Sequence, residues 1–371
     1  MTEPREPDRV EGAPHPRETA QLFGQAAAEA AFLDAFCSDR LPHGWMLTGP
    51  RGVGKATLAW RIARFLLARP AGGVGFFDAP APPQSLDVDP AHPVARRVTA
   101  MSEGRLLLLR RSWDDKGGRL RSQITVDEAR RLRDFLGLSA PDGGWRVVIV
   151  DAADELNPNA ANALLKLLEE PPAQVVLLLV CHQPARLLPT IRSRCRPLRL
   201  VPLAATDMAA ALHQAGIAPE DPAALSELSG GSVGAALRIA RLDGLAQYAR
   251  LAGLIATLPR LDRGQALALA DQAAAKGAEE RRALLFELCD LLLARLAATG
   301  AGRPPAAEAA PGEAALLARL APGPASARAW AEAQARLGAR VRAGLAVNLD
   351  PAALLLDMVL GIEAAAAAPA G

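Results

Sequence analysis

Between about residues 20 and 200, short apolar runs alternate with stretches of helical period. The runs are Trp45-Met46-Leu47, Arg105 to Leu109, Val147 to Val150, Val175 to Val180 and Leu198 to Val201. Runs that are apolar at nearly every position fit strands buried on both faces, so the pattern predicts a parallel α/β sheet. The helical stretches have readable ends. Thr125-Val126-Asp127-Glu128 predicts a capping box opening a helix to about Leu136. Asn157-Pro158 supplies a capping side chain and a first-turn proline ahead of ANALLKLLEE, which Pro171-Pro172 stops. The expected fold is a doubly wound α/β domain.

After Pro202 the strand pattern ends. Residues 203–245 read as a small helical lid and 246–362 as a longer all-α region, with a stripe at Leu284, Leu285, Leu288, Leu291 and Leu292. The α/β domain then spans 19–202. Residues 1–18, rich in Pro, Glu and Arg, are expected to be disordered, and the alanine-rich 363–371 to be a flexible tail. Residues 70–95, dense in Pro, Gly and Ala, read as an insertion loop.

Length and composition narrow the class. At 371 residues the chain exceeds a usual single domain, and 50% hydrophobic with 22% charged residues is ordinary for a globular protein. A formal charge of +2 makes no case for nucleic-acid binding from bulk charge. Cys37, Cys181, Cys195 and Cys289 form no C-x-x-C pair, so neither a zinc site nor a disulfide framework is indicated. Reduced thiols, no apolar leader in MTEPREPDRV and no run of roughly 20 apolar residues point to a cytoplasmic protein without a membrane partner.

Candidate chemistry starts at GPRGVGKAT, Gly49 to Thr57, which follows an expected strand and opens a helix with Leu58, Ile62 and Phe65 on one face. That is the context of a phosphate-binding loop: backbone amides of Gly49, Gly52 and Gly54 at a helix N-terminus, with Lys55 able to reach phosphates. The loop pattern requires a Ser or Thr hydroxyl directly after the lysine to ligate Mg²⁺, and Ala56 stands there. Thr57 comes one residue late, about 100° around the helix. RVVIVDAADE ends a strand in Asp151, where P-loop ATPases hold magnesium. Asp154 and Glu155 lie three and four residues on, where a turn would carry them away from an attacking water. These residues make a degenerate nucleotide site of Gly49, Gly52, Gly54, Lys55, Thr57 and Asp151 with no metal ligand set. Arg119, Arg121, Arg130, Arg131 and Arg133 cluster around the capped helix, where a solvated face and a DNA-phosphate contact are both open readings.

The run NALLKLLEEPPAQVVLLLVCHQPARLLPTIRSRC, Asn162 to Cys195, closely resembles bacterial clamp-loader subunits of the AAA+ class, through LLEEPP and SRC; a weaker likeness covers most of 20–360. The hydrolysing subunits of that family carry a Thr after the loop lysine, D-E after the strand and G-S-x-R in the lid. Here Ala56, Ala152 and Gly234 stand at those positions, and the GSVGAAL lid looks like the delta-prime kind. The family's sensor position falls at Cys181-His182, to which no chemistry is assigned, and its four-cysteine zinc module has no counterpart between Cys37 and Cys181. The resemblance implies a DNA-replication subunit without its own ATPase, with Arg194 of Ser193-Arg194-Cys195 serving a neighbour's active site in trans. It implies as partners the loader ATPase subunits, a delta subunit and, through them, the sliding clamp and primer-template DNA. No cofactor is required, and the intact glycine loop leaves weak ATP or ADP binding open. The rival readings are an active AAA+ ATPase in which Thr57 and Glu155 replace the lost groups, and a free-standing P-loop binding module.

Overall fold

The computed structural model describes residues 6, 9–10, 12–38, 40–69, 82–114, 118–137 and 143–367. They divide into two compact units, 1–215 with 232–234, and 216–231 with 235–371.

The first unit holds α1 (Ala26–Cys37), β1 (Gly44–Thr48), α2 (Lys55–Leu67), α3 (Pro93–Thr99), β2 (Leu106–Arg110), β3 (Trp113–Asp114), β4 (Arg119–Leu120), α4 (Val126–Gly137), β5 (Arg146–Asp151), α5 (Pro158–Glu169), β6 (Val175–Cys181), α6 (Pro189–Arg192), β7 (Arg196–Arg199) and α7 (Ala205–Gln214). The main sheet has five strands in the order β2-β5-β6-β1-β7, and every neighbouring pair is parallel. All seven residues of β6 are buried, as the unbroken apolar run required, because helices cover both faces of a central parallel strand. Asn157 caps α5 by accepting from the Ala160 amide at 2.8 Å, and Pro158 occupies the first turn.

Several expectations need correction. The last strand lies earlier than Leu198 to Val201: it covers Arg196–Arg199 at the sheet edge, where only Leu198 is buried. Edge position lets polar residues alternate with the apolar one, so hydrophobicity alone misplaces it. Within 70–95, residues 70–81 lie outside the described residues, whereas Pro93 opens α3 with His92 as its cap. The β3–β4 hairpin was not anticipated, being too short to leave a periodic pattern.

The N-terminal segment, expected to be disordered, packs where it is described. His15 is fully buried with its ring edge-on to Trp60, and the Glu6 carboxylate accepts from Arg17 at 2.8 Å and Arg110 at 2.9 Å. Arg64 of α2 donates to Arg17 O at 2.6 Å and Arg61 to Ala20 O at 2.6 Å. These contacts offset the entropy of ordering the segment. Residues 1–5 lie outside the described residues.

The second unit is helical: α8 (Pro222–Ser229), α9 (Val233–Arg241) from Ala235 onward, α10 (Gly244–Ala256), α11 (Arg263–Ala274), α12 (Glu279–Gly300), α13 (Glu313–Leu320), α14 (Pro324–Ala346) and α15 (Pro351–Ala367). The expected separate lid is divided instead, α7 joining the first unit and α8 the second. The tail expected from 363 is helical to Ala367, and 368–371 lie outside the described residues. Leu284, Leu285, Leu288 and Leu292 are buried in α12, as their stripe predicts, while Leu291 is half-buried.

A polar knot is buried here. The Glu313 carboxylate accepts from Arg295 Nε at 2.7 Å, from the Ala309 amide at 2.6 Å and from the Tyr248 hydroxyl. It ties α10, α12 and α13 together. No helix among the described residues is long and apolar enough to cross a membrane.

Candidate functional site

The phosphate loop leaves β1 between β6 and β7 and turns into α2. Gly49 has φ +139, and a Cβ there would come within 2.4 Å of Leu200 O; at Gly52, φ +75, it would come within 2.2 Å of Ser232 Oγ. Both glycines are therefore required by the surrounding packing, whether or not a phosphate is present. Gln25 ties the loop down, its amide nitrogen donating to Val53 O at 3.2 Å and to Val201 O at 2.8 Å. Nothing in the sequence marks Gln25 for this, since a glutamine before an alanine-rich helix carries no pattern.

Lys55 is 3% exposed and donates to Gly49 O at 2.7 Å and to Pro50 O. The loop's own carbonyls hold the ammonium. Burial lowers its pKa to about 8, and the Asp151 and Asp154 carboxylates work against that drop. Lys55 therefore lies within the electrostatic reach of Asp151. Ala56 and Thr57 are half-buried in the first turn of α2. Ala152, directly after Asp151, is buried and offers no functional group.

Both carboxylates that follow Asp151 are already engaged. Asp154 accepts from the backbone amides of His182 at 2.9 Å and Gln183 at 3.2 Å, pinning the turn after β6. Glu155 forms ion pairs with Arg111 at 2.8 Å and Arg51 at 3.5 Å. Burial raises the Glu155 pKa, with Arg111 and Arg51 opposing. His182, directly after β6, has its pKa lowered to about 4, first by burial and then by Lys55, so its ring is neutral near pH 7.

Gly234 lies directly on the loop. Its amide donates to Gly52 O at 3.2 Å, and a Cβ on Gly234 would stand 3.3 Å from Gly52 Cα. The segment carries no cation over the loop at that position.

Arg194 follows α6 at the other end of the sheet. The next strand residue, Arg196, pairs with Trp45 near the start of β1, whereas the loop begins at Gly49. Four residues of strand at ~3.3 Å each place about 13 Å between those levels. Arg194 ion-pairs with Glu169 at 3.1 Å and donates to Thr190 O at 3.0 Å, with 37% of its side chain exposed. An exposed pair of this kind is worth only ~0–1 kcal/mol, so the guanidinium is easily drawn to another anion. By contrast, Arg196 lies over the Trp45 ring at 5.3 Å.

The family model described as DNA polymerase III, delta subunit, matches residues 24–204. Over that stretch, the chain is similar to a clamp-loader subunit of DNA polymerase III. DNA polymerase III subunit delta' of Pseudomonas aeruginosa is 38% identical over 206 residues, covering 54% of this chain and 56% of that protein. DNA polymerase III subunit gamma/tau of Mycobacterium bovis is 32% identical over 197 residues, 50% of this chain and 29% of that protein. The chain therefore spans about half or less of the length of these curated relatives. Among solved structures, a DNA polymerase III gamma subunit-related protein of Thermotoga maritima aligns with 90% of this chain and 99% of its own, at 18% identity and a TM-score of 0.33. The α/β unit of this chain has a parallel five-stranded sheet with the phosphate loop after β1, which lies between β6 and β7.

Proposed function

We propose that the protein is a non-hydrolysing subunit of the replicative clamp loader, a stator that holds the assembly's geometry and supplies Arg194 to a nucleotide bound by a neighbouring ATPase subunit. The observation that carries this reading is the placement of Arg194 at the strand-start end of the sheet, away from its own phosphate loop. From there its guanidinium can serve only a nucleotide held by another chain. The partners are ATP-hydrolysing loader subunits and a delta subunit, and through them the sliding clamp and primer-template DNA.

The local site supports the same reading. The metal hydroxyl, the water-orienting glutamate and the lid cation are replaced by Ala56, Ala152 and Gly234. Asp154 and Glu155 already hold backbone amides and arginines. Losing several such groups costs ~10²–10³ in rate for each, so the isolated protein should hydrolyse ATP no faster than background. Turnover above about 0.1 per second would contradict it.

The decisive test is Arg194→Ala in loader complexes reconstituted with equal occupancy. An arginine supplied in trans is worth ~10³–10⁵ at one GTPase site, and the loss in a loader with several sites is smaller because one interface is touched. Assembly should persist while ATPase and clamp loading fall, with Arg192→Ala loading like the parent. Arg194→Lys keeps the charge without the planar fork and should not restore the rate. Parental loading by Arg194→Ala would remove the assignment.

A further inference from the structure

The second unit contains a cavity of about 510 Å³ bordered by α10, the end of α11 and the first turns of α12. Its floor is apolar: Leu269, Ala273 and Leu285 are 6%, 3% and 3% exposed. Four cations line it, Arg250, Lys276, Arg281 and Arg282, against a single carboxylate, Asp243. The whole chain carries only +2, so a surplus of three positive charges around one concavity is a strong local concentration.

The surrounding protein neutralises little of it. Asp243 accepts from Arg281 at 3.0 Å, in a pair whose side chains are 60% and 64% exposed, where the gain is small. Arg250 donates to neutral acceptors, Ala246 O at 3.2 Å and Gln272 Oε1 at 3.0 Å, and Arg282 to Ala273 O at 3.4 Å. Lys276 makes no hydrogen bond or ion pair with a described residue. Glu280, in the first turn of α12, is held by Arg241 and does not line the cavity.

Cations gathered around one concavity add their potentials, and Arg250, Lys276 and Arg281 are exposed enough to reach a ligand there. The volume falls within the ~300–1,000 Å³ of small-molecule sites, which combine an apolar lining with a few polar groups that fix orientation. Gln247, 8% exposed, adds a buried amide to the lining, its nitrogen donating to Leu242 O at 2.7 Å. Arginines and a lysine around such a floor match an anionic phosphate chain attached to a flat apolar body.

We propose that this cavity binds a small phosphorylated ligand of nucleotide size, with a nucleoside diphosphate the class that fits its charge and floor. The site is built from residues 242–285 and shares none with the phosphate loop.

The test uses the full chain carrying Lys55→Ala, which removes the lysine of the phosphate loop. ADP and inorganic pyrophosphate are titrated calorimetrically at physiological ionic strength. Both should bind with one-to-one saturation. Lys276→Glu and Arg282→Gln should each weaken binding by about tenfold or more, the worth of one charge-assisted hydrogen bond. Arg260→Ala, a cation of the same unit outside the cavity, should leave binding intact. Lys276 is exposed on a turn, so an unchanged melting temperature for Lys276→Glu will establish that the fold is kept. Absence of saturable binding, or binding indifferent to Lys276→Glu, overturns the proposal. So does binding of a short oligothymidylate through these residues while ADP and pyrophosphate fail, which would assign the cavity to a nucleic-acid backbone.

Discussion

Replacing Lys55 by methionine separates the cost of its buried charge from every other feature of the loop. Its pKa falls from 10.5 to about 8, with burial the largest cause. Each unit is worth ~1.4 kcal/mol, so the fold disfavours the charged lysine by about 3 kcal/mol as an upper bound. The sign follows from proton counts. Between about pH 8 and 10.5 the unfolded chain holds the Lys55 proton while the folded chain has released it, so the parent gains stability as pH rises through this window. Below about pH 8 the full cost is present. Lys55→Met carries no such term, and its loss of the hydrogen bonds to Gly49 O and Pro50 O is common to all pH values. Stability relative to the parent should therefore be greatest near pH 7 and decline by up to about 3 kcal/mol toward pH 10.5. Urea denaturation of both proteins across this range measures the difference directly. A difference that stays flat, or grows with pH, refutes the argument. The chain has only Lys55, Lys116, Lys166 and Lys276, so the Lys55 side-chain nitrogen can also be titrated by NMR, with a midpoint expected near 8. Phosphate bound in the loop would raise that midpoint, which makes the same titration a reporter of ATP or ADP occupancy.

Two further substitutions test the structural roles assigned above. Glu313→Gln removes the charge facing Arg295 in a site where Glu313 is 1% exposed. Leaving a buried arginine with reduced compensation should cost ~3–5 kcal/mol in urea denaturation, whereas a loss under about 1 kcal/mol would show that the knot is loosely held. Asp154→Asn weakens two charge-assisted bonds to the His182 and Gln183 amides and should destabilise by about 1–2 kcal/mol. It should leave loading by the assembled complex at the parental rate; a large drop there with the fold intact would give Asp154 a chemical role.

Much of the α/β unit was legible in the chain because its signals are local. The central strands β5 and β6 are apolar along almost their whole length, since parallel neighbours and helices cover both faces. The Asn157 cap and Pro158 mark the start of α5 by hydrogen bonding within a few residues. Ala56, Ala152 and Gly234 could be read as departures from an ATPase pattern for the same reason, as each occupies a fixed offset from a recognisable motif.

Only the tertiary structure decided how those parts are engaged. Glu155 is occupied by Arg111 and Arg51, which reach it from β2's end and from the phosphate loop, and no local pattern carries such pairings. The N-terminal segment has a composition typical of disorder, yet Arg64 of α2 holds the Arg17 carbonyl and Glu6 meets Arg110, 104 residues away. The distance of Arg194 from its own loop follows from β7 pairing in parallel with β1. The cationic cavity likewise gathers residues from three helices and a turn. Spacing along the chain reports the chemistry a residue can perform; long-range packing alone determines which groups meet it.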